Sequence, residues 1–196
     1  MENNLPGGWF SELDIEIYRE LLSSLPQNAR VCELGSWMGR SICSVADIIL
    51  EKNIAVCIVD TFEGTIGEEE QHKIAKQIDL REEFIKNITR FGLGANVETY
   101  KTTTDEGFVK FNNDGTKFDL VFVDADHSTE AVSKDIRNYF LLLKENCSIL
   151  AGHDFVWETV RKALENTIEK REWLFSKGNM WWIKEQDIKI NQNDYQ

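Results

Sequence analysis

Five short apolar runs alternate with segments of helical period, and this alternation constrains the fold more than any other feature of the chain. The runs lie at 30–35 (Arg-Val-Cys-Glu-Leu-Gly), 55–60 (Ala-Val-Cys-Ile-Val-Asp), 96–101, 118–124 (Phe-Asp-Leu-Val-Phe-Val-Asp) and 147–152 (Cys-Ser-Ile-Leu-Ala-Gly). Short runs with little polar alternation read as strands buried on both faces. The segments 41–50, 82–91, 105–111 and 129–143 carry apolar residues at helical spacing. Strand then helix, repeated, predicts a parallel sheet, because parallel neighbours need a long crossover. Two more runs, 172–176 and 180–184, are separated only by Ser176-Lys177-Gly178-Asn179 and predict an antiparallel hairpin. Before the first strand, residues 11–25 place Ile15, Tyr18, Leu21, Leu22 and Leu25 on one helical side behind a Ser11 cap, and this helix is expected to cover a sheet edge.

These elements fit one α/β domain over residues 1–196, with an N-terminal helical extension (1–28) and a polar tail (187–196). The formal charge of −12 repels a phosphate backbone, and Lys170-Arg171 is typical of the scattered basic pairs, so nucleic acid is not expected as a partner. Cys32, Cys43, Cys57 and Cys147 form no CxxC pair and read as buried thiols. No run is long enough to span a bilayer, and the opening residues lack a basic region followed by an apolar one; the expectation is a cytoplasmic protein with no membrane partner. Trp181 and Trp182 point to opposite faces of their strand, so at most one is core. The other covers the sheet edge or joins two subunits as a homodimer.

The first strand runs into Glu33-Leu34-Gly35-Ser36-Trp37-Met38-Gly39-Arg40-Ser41. A glycine turn that opens a helix lets the backbone approach a ligand closely. It is not the dinucleotide fingerprint, because GxGxxG would need glycine where Trp37 and Arg40 stand. Glu33 would repel a pyrophosphate and suits the positive end of an amino acid, while Asp60, ending the second strand, is placed to accept ribose hydroxyls. A ribose, an amino acid end and no pyrophosphate describe S-adenosyl-L-methionine.

Residues 31–39 resemble motif I of class I S-adenosylmethionine-dependent methyltransferases, and Val59-Asp60 resembles the acidic end of their second strand. Residues 118–127 (ending Asp124-Ala125-Asp126-His127) are similar to the fourth-strand signature of the catechol and caffeoyl-coenzyme A O-methyltransferase branch. Gly152-His153-Asp154 then follows the fifth strand, as in small bacterial enzymes of that type. The resemblance covers about residues 28–185. It implies a doubly wound, Rossmann-like, seven-stranded sheet of order 3-2-1-4-5-7-6. It also implies Glu33 near the methionine ammonium, a close approach at Gly35, Ser36 and Gly39, Ser41 near the carboxylate, Asp60 on the ribose and Thr103 bordering adenine.

A second constellation (Asp124, Asp126, His127, His153, Asp154) stands at the carboxyl ends of strands four and five, the edge where open α/β sheets bind ligands. By resemblance, Asp124 with His153 and Asp154 would hold a divalent metal, the last two replacing an Asp-Asn pair. His153 or His127 is alternatively a general base toward an acceptor hydroxyl. His72 reads as a solvated helix residue, Trp37 as packing and Arg40 as an exposed ion pair. The long polar stretch 61–77 reads as a lid that helps bind acceptor, its acidic run 68–70 as a helix start. The expected activity is O-methylation of a small hydroxylated metabolite or sugar. A non-haem metal oxygenase using His127, His153 and an Asp, and a noncatalytic nucleoside-binding module, are the competing readings.

Overall fold

In the computed structural model, residues 5–65, 69–145, 148–169 and 174–184 are described. Their elements run α1 (Glu12–Ser24), β1 (Arg30–Leu34), α2 (Arg40–Ser44), α3 (Ala46–Glu51), β2 (Ala55–Asp60), α4 (Glu69–Ala75), α5 (Leu80–Arg90), β3 (Val97–Lys101), α6 (Thr104–Asn113), β4 (Leu120–Val123), α7 (Thr129–Phe140), β5 (Ile149–Gly152), α8 (Glu158–Thr167), β6 (Phe175–Lys177) and β7 (Met180–Lys184). The sheet order is β3-β2-β1-β4-β5-β7-β6. The first five strands pair in parallel, and β7 lies antiparallel to both β5 and β6. The chain winds outward from β1 to β3, then returns to place β4 on the other side of β1. That reversal opens a crevice at the carboxyl ends of β1 and β4.

Both faces of the sheet are covered, which explains the nearly unbroken apolar runs. Strand parity divides the core. Val31, Val56, Ile58, Leu120 and Phe122 pack under α1, α2, α3 and α5. Cys32, Leu34, Val59, Val121 and Val123 pack under α6, α7 and α8. Trp181 is fully buried in the second layer, while Trp182 packs on the first and stacks with Phe175 at 5.9 Å.

Several boundaries differ from the sequence expectation. The helix expected over 41–50 is broken at Val45. The Ser44 hydroxyl takes the Ser41 carbonyl and Arg19 takes the Ser44 carbonyl, interrupting the regular ladder. Capping residues extend others: Asp79 starts α5 two residues before the expected 82, and Thr103 starts α6 with a full capping box. The helix α8 was not anticipated. The last hairpin turns at Gly178 and Asn179 alone, Gly178 at φ +60, so Ser176 and Lys177 belong to β6 rather than to a loop. Helix α1 lies on a sheet face, its Tyr18 ring 4.8 Å from that of Phe122 on β4, rather than along an edge. The polar tail, Cys147, Lys170-Arg171, Glu68 and the start of the strand expected at 172 lie outside the described residues. No helix among the described residues is long and apolar enough to cross a membrane.

Three elements meet on one buried carboxylate. Glu33 on β1 is fully buried and accepts the Tyr18 hydroxyl of α1 at 3.0 Å and the Ser41 hydroxyl of α2 at 2.6 Å. Burial pushes its pKa up to about 7, against the opposing pull of those hydroxyl donors. A folded-state value above the unfolded one means stability is lost as pH rises from about 4.5 through about 7. Replacing Glu33→Gln removes that loss: urea unfolding is expected to show the variant improving relative to the parent by on the order of 2–3 kcal/mol between pH 4.5 and 8. A pH-independent difference would place the carboxylate elsewhere. Two glycines of the β1 turn separate equally well. Gly35 has φ +76, and a methyl there would overlap the Asp124 carbonyl, whereas at Gly39 (φ +83) it would meet the edge of the Phe84 ring at 3.1 Å, a side chain rather than backbone. Gly35→Ala is expected to destabilise by about 3 kcal/mol or more and Gly39→Ala by about 1–2 kcal/mol, an order that urea melts would check.

Candidate active site

A cleft of about 980 Å³ opens where the sheet order reverses. Its floor is the β1 turn, held by Asp60. That carboxylate accepts the Ser36 and Trp37 backbone N–H groups at 2.7 and 3.0 Å on one oxygen and the Phe62 N–H at 2.6 Å on the other. Burial raises its pKa above the usual carboxylate value, while these three donors pull it down. The turn and Asp60 are therefore one unit.

Of the residues expected around a cofactor, Gly35, Ser36, Ser41, Asp60, Thr103 and Asp124 line the cleft. Glu33 does not: its carboxylate is sealed between Tyr18 and Ser41, so it reaches the cleft only by orienting the Ser41 hydroxyl. Gly39 is also outside the lining, its positive φ serving the start of α2 against Phe84. Thr103 spends its hydroxyl on the α6 capping box with Glu106, and its neighbours Thr102 and Thr104 face the same cleft.

On the opposite wall, Asp124, His127 and Asp154 each offer a ligand atom, all within 4.8 Å of one another. Nε2 of His127 lies 2.9 Å from Oδ2 of Asp154. The His127 ring packs on Trp157 at 4.8 Å. His153, expected in this set, lines the cleft but is wedged between Asp14 and the two carboxylates instead of sharing their ligand face. Its side chain is 4% exposed, with Nε2 3.3 Å from Asp14, and Nδ1 3.4 Å from Asp154 and 3.6 Å from Asp124. Burial alone would lower its basicity, but Asp124, Asp14 and Asp154 outweigh it and push the imidazole up to about 10. Asp154 is correspondingly held well below the usual carboxylate range: burial opposes this, but His127 and His153 prevail. A histidine that keeps its proton and faces carboxylates at both nitrogens is a buried counter-charge.

Sequence reasoning passed over the N-terminal segment. Gly7, Gly8, Trp9, Phe10 and Ser11 all line the cleft. Arg40, expected in an exposed ion pair, instead pins this segment by donating to the Phe10 and Pro6 carbonyls at 2.7 and 3.0 Å. Trp37 is a wall residue rather than filling alone, its ring 5.6 Å from the half-exposed Trp9. The aromatic pair Trp9-Phe10 behind two glycines was the available signal. Asn179, from the hairpin turn, bonds Asp154 at 3.1 Å. In the 61–77 stretch, Gly64, Thr65 and Gln71 reach the cleft, while His72 contacts the Glu63 carbonyl.

A family model described as a methyltransferase domain matches residues 32–155. No curated protein matches the sequence. Among solved structures, the fold is similar to cofactor-bound Rv0187 from MTB, at 16% identity and TM-score 0.68, covering 94% of this chain and 84% of that one. It is also similar to the O-methyltransferase from Bacillus cereus in complex with SAH, at 18% identity and TM-score 0.62, covering 92% and 84%. CalS11, a TDP-rhamnose 3'-O-methyltransferase of calicheamicin biosynthesis, is 14% identical with TM-score 0.61, covering 88% and 77%. At such identities the structural likeness is one of fold, and it agrees with the observed strand order. The family match runs over more than half of the chain, from the strand that leads into the β1 turn to just past Asp154, and on that ground the chain belongs to the methyltransferase-domain family.

Proposed function

We propose that the protein transfers the methyl group of S-adenosyl-L-methionine to an oxygen of a small, uncharged, hydroxylated acceptor such as a sugar or related metabolite. The observation that carries this reading is the cleft itself: the Asp60-braced turn forms one end and the Asp124, His127, Asp154 face the other. The first end suits a nucleoside joined to an amino acid, with Asp60 toward the ribose, Ser41 toward the carboxylate and the Thr102–Thr104 edge toward the base. The bound SAH of the Bacillus cereus enzyme supports the cofactor by analogy of fold, and CalS11 supports a sugar hydroxyl as acceptor, its TDP-rhamnose differing from the acceptor proposed here by the anionic diphosphate. Asp105, Asp124, Asp126 and Asp154 line the cleft, while the Arg40 guanidinium is occupied by backbone carbonyls. This field disfavours an anionic acceptor.

S-adenosylmethionine supplies an electrophilic methyl carbon, so the protein's task is alignment and removal of one proton. The donor set Asp124, His127 and Asp154, one imidazole and two carboxylates converging on a point, fits a divalent cation of the manganese, iron or zinc type. When bound there, a cation would lower the acceptor hydroxyl's pKa. His153, buried and flanked by carboxylates at both nitrogens, is not placed to accept the proton. A metal-free second reading rests on the 2.9 Å His127–Asp154 contact, which would orient His127 as the base. The two roles of His127 exclude each other.

Calorimetry with S-adenosylhomocysteine is expected to show binding, weakened roughly 10- to 100-fold in Asp60→Ala, about 1–3 kcal/mol for losing a charged hydrogen-bond partner. No binding by the parent would remove the cofactor assignment. Manganese titrated into chelator-treated protein is expected to bind at one site that His127→Ala abolishes. A parent protein that takes up no cation leaves His127 as the base.

A further inference from the structure

We propose that Asp14 is a positioning residue of the active site, acting through His153 to fix the carboxylate of Asp154. An unbroken line of contacts runs from helix α1 to the cleft wall: Asp14 to His153 at 3.3 Å, His153 to Asp154 at 3.4 Å and Asp154 to His127 at 2.9 Å. Carboxylate and imidazole alternate along it, so each member has a partner of opposite character.

Asp154 needs such support. Its backbone has φ +57, a conformation that side-chain-bearing residues seldom adopt, so the direction of its carboxylate is set by the groups that hold it. One of those is Asn179 and the other two are the histidines. Asp14 in turn does more than cap its helix. It closes a capping box with Ser11, taking the Ser11 N–H at 2.8 Å and hydroxyl at 2.6 Å. The equivalent box on α6, Thr103 with Glu106, does the same work fully in solvent. Asp14 is instead 2% exposed, and its Oδ1 finds no hydrogen-bond partner among the described residues. Burying a carboxylate this way is costly and unnecessary for a cap, and the neighbouring imidazole of His153 is the group that makes use of it.

The proposal rests on the site reading above for its first readout and carries a second that does not. In the full chain, Asp14→Asn and His153→Gln are each expected to weaken manganese binding 10- to 100-fold, measured by electron paramagnetic resonance. The double variant should be no weaker than the worse single one, because both act along one line. S-adenosylhomocysteine affinity should change less than twofold, and Glu12→Gln, two residues away on the exposed side of the same helix, should change neither. Unaltered manganese affinity in both variants overturns the proposal, as does a parallel loss of manganese affinity, S-adenosylhomocysteine affinity and melting temperature, which marks a merely structural clamp. If the parent protein binds no manganese, the cation reading fails by itself. The ring 15N signals of His127, which report its bond to Asp154, then decide: they must move in Asp14→Asn, and unmoved signals overturn the positioning role.

Discussion

The structure depends on how closely the end of β1 approaches the end of β4. At Gly35 the backbone lies so near the Asp124 carbonyl that no side chain fits between them. The Gly35 N–H meanwhile bonds the Val59 carbonyl at 2.9 Å, and the Asp124 N–H bonds the Leu34 carbonyl at 2.8 Å. Three strand ends are thereby drawn level, and their last acidic side chains, Asp60 and Asp124, face one cleft from two sides. The reversal of strand order supplies the opening, and the missing Cβ lets the turn lie at its floor rather than across its mouth.

Burial of charge is the second organising constraint. Glu33, Asp14 and His153 are all nearly inaccessible, an arrangement that costs stability unless each finds a partner. Helix α1 supplies one partner to each of the two sheet positions. Asp14 and Tyr18 stand four residues apart, hence on one side of the helix, and meet His153 and Glu33 respectively. An otherwise apolar helix face thus carries a polar stripe matched to two polar positions on the sheet. That matching fixes the rotation and height of α1 more narrowly than hydrophobic contact would.

The parallel α/β sheet and the final hairpin were legible in the sequence because they follow from periodicity, and the strand order because it is implied by the family resemblance. The ends of elements were less so. Val45 breaks a helix for reasons that lie in Arg19 and Ser44, which only the tertiary structure brings together. Asp60, Gly35 and Ser41 could be placed at the cleft because a strand end and a glycine turn have one geometry. The Trp9 wall could not, since its position depends on Arg40 reaching back to two carbonyls distant in sequence. The part played by Asp14 was hidden for another reason: in sequence it is indistinguishable from an ordinary capping acid.

His153 and Glu33 were both expected to face ligand, and one rule explains why Glu33 lies outside the cleft and why His153, at its border, turns Nε2 toward Asp14. Side chains alternate along a strand, so residues of equal parity share a face. On β1, Val31 packs under α1, and Glu33, two residues on, must point the same way. On β5, Ile149 and Ala151 pack on that layer, and His153 continues their parity into the space beneath α1. Asp154 would by the same rule enter the opposite layer, but its left-handed backbone turns it out of the strand and toward the cleft. His127 lies four residues beyond β4, free of strand parity, and so joins Asp124 and Asp154 as a third donor, whereas His153 borders the cleft only as a buried wall residue. That His127 rather than His153 joins the Asp124–Asp154 cluster thus follows from the pleat of the sheet and from one residue in an uncommon conformation.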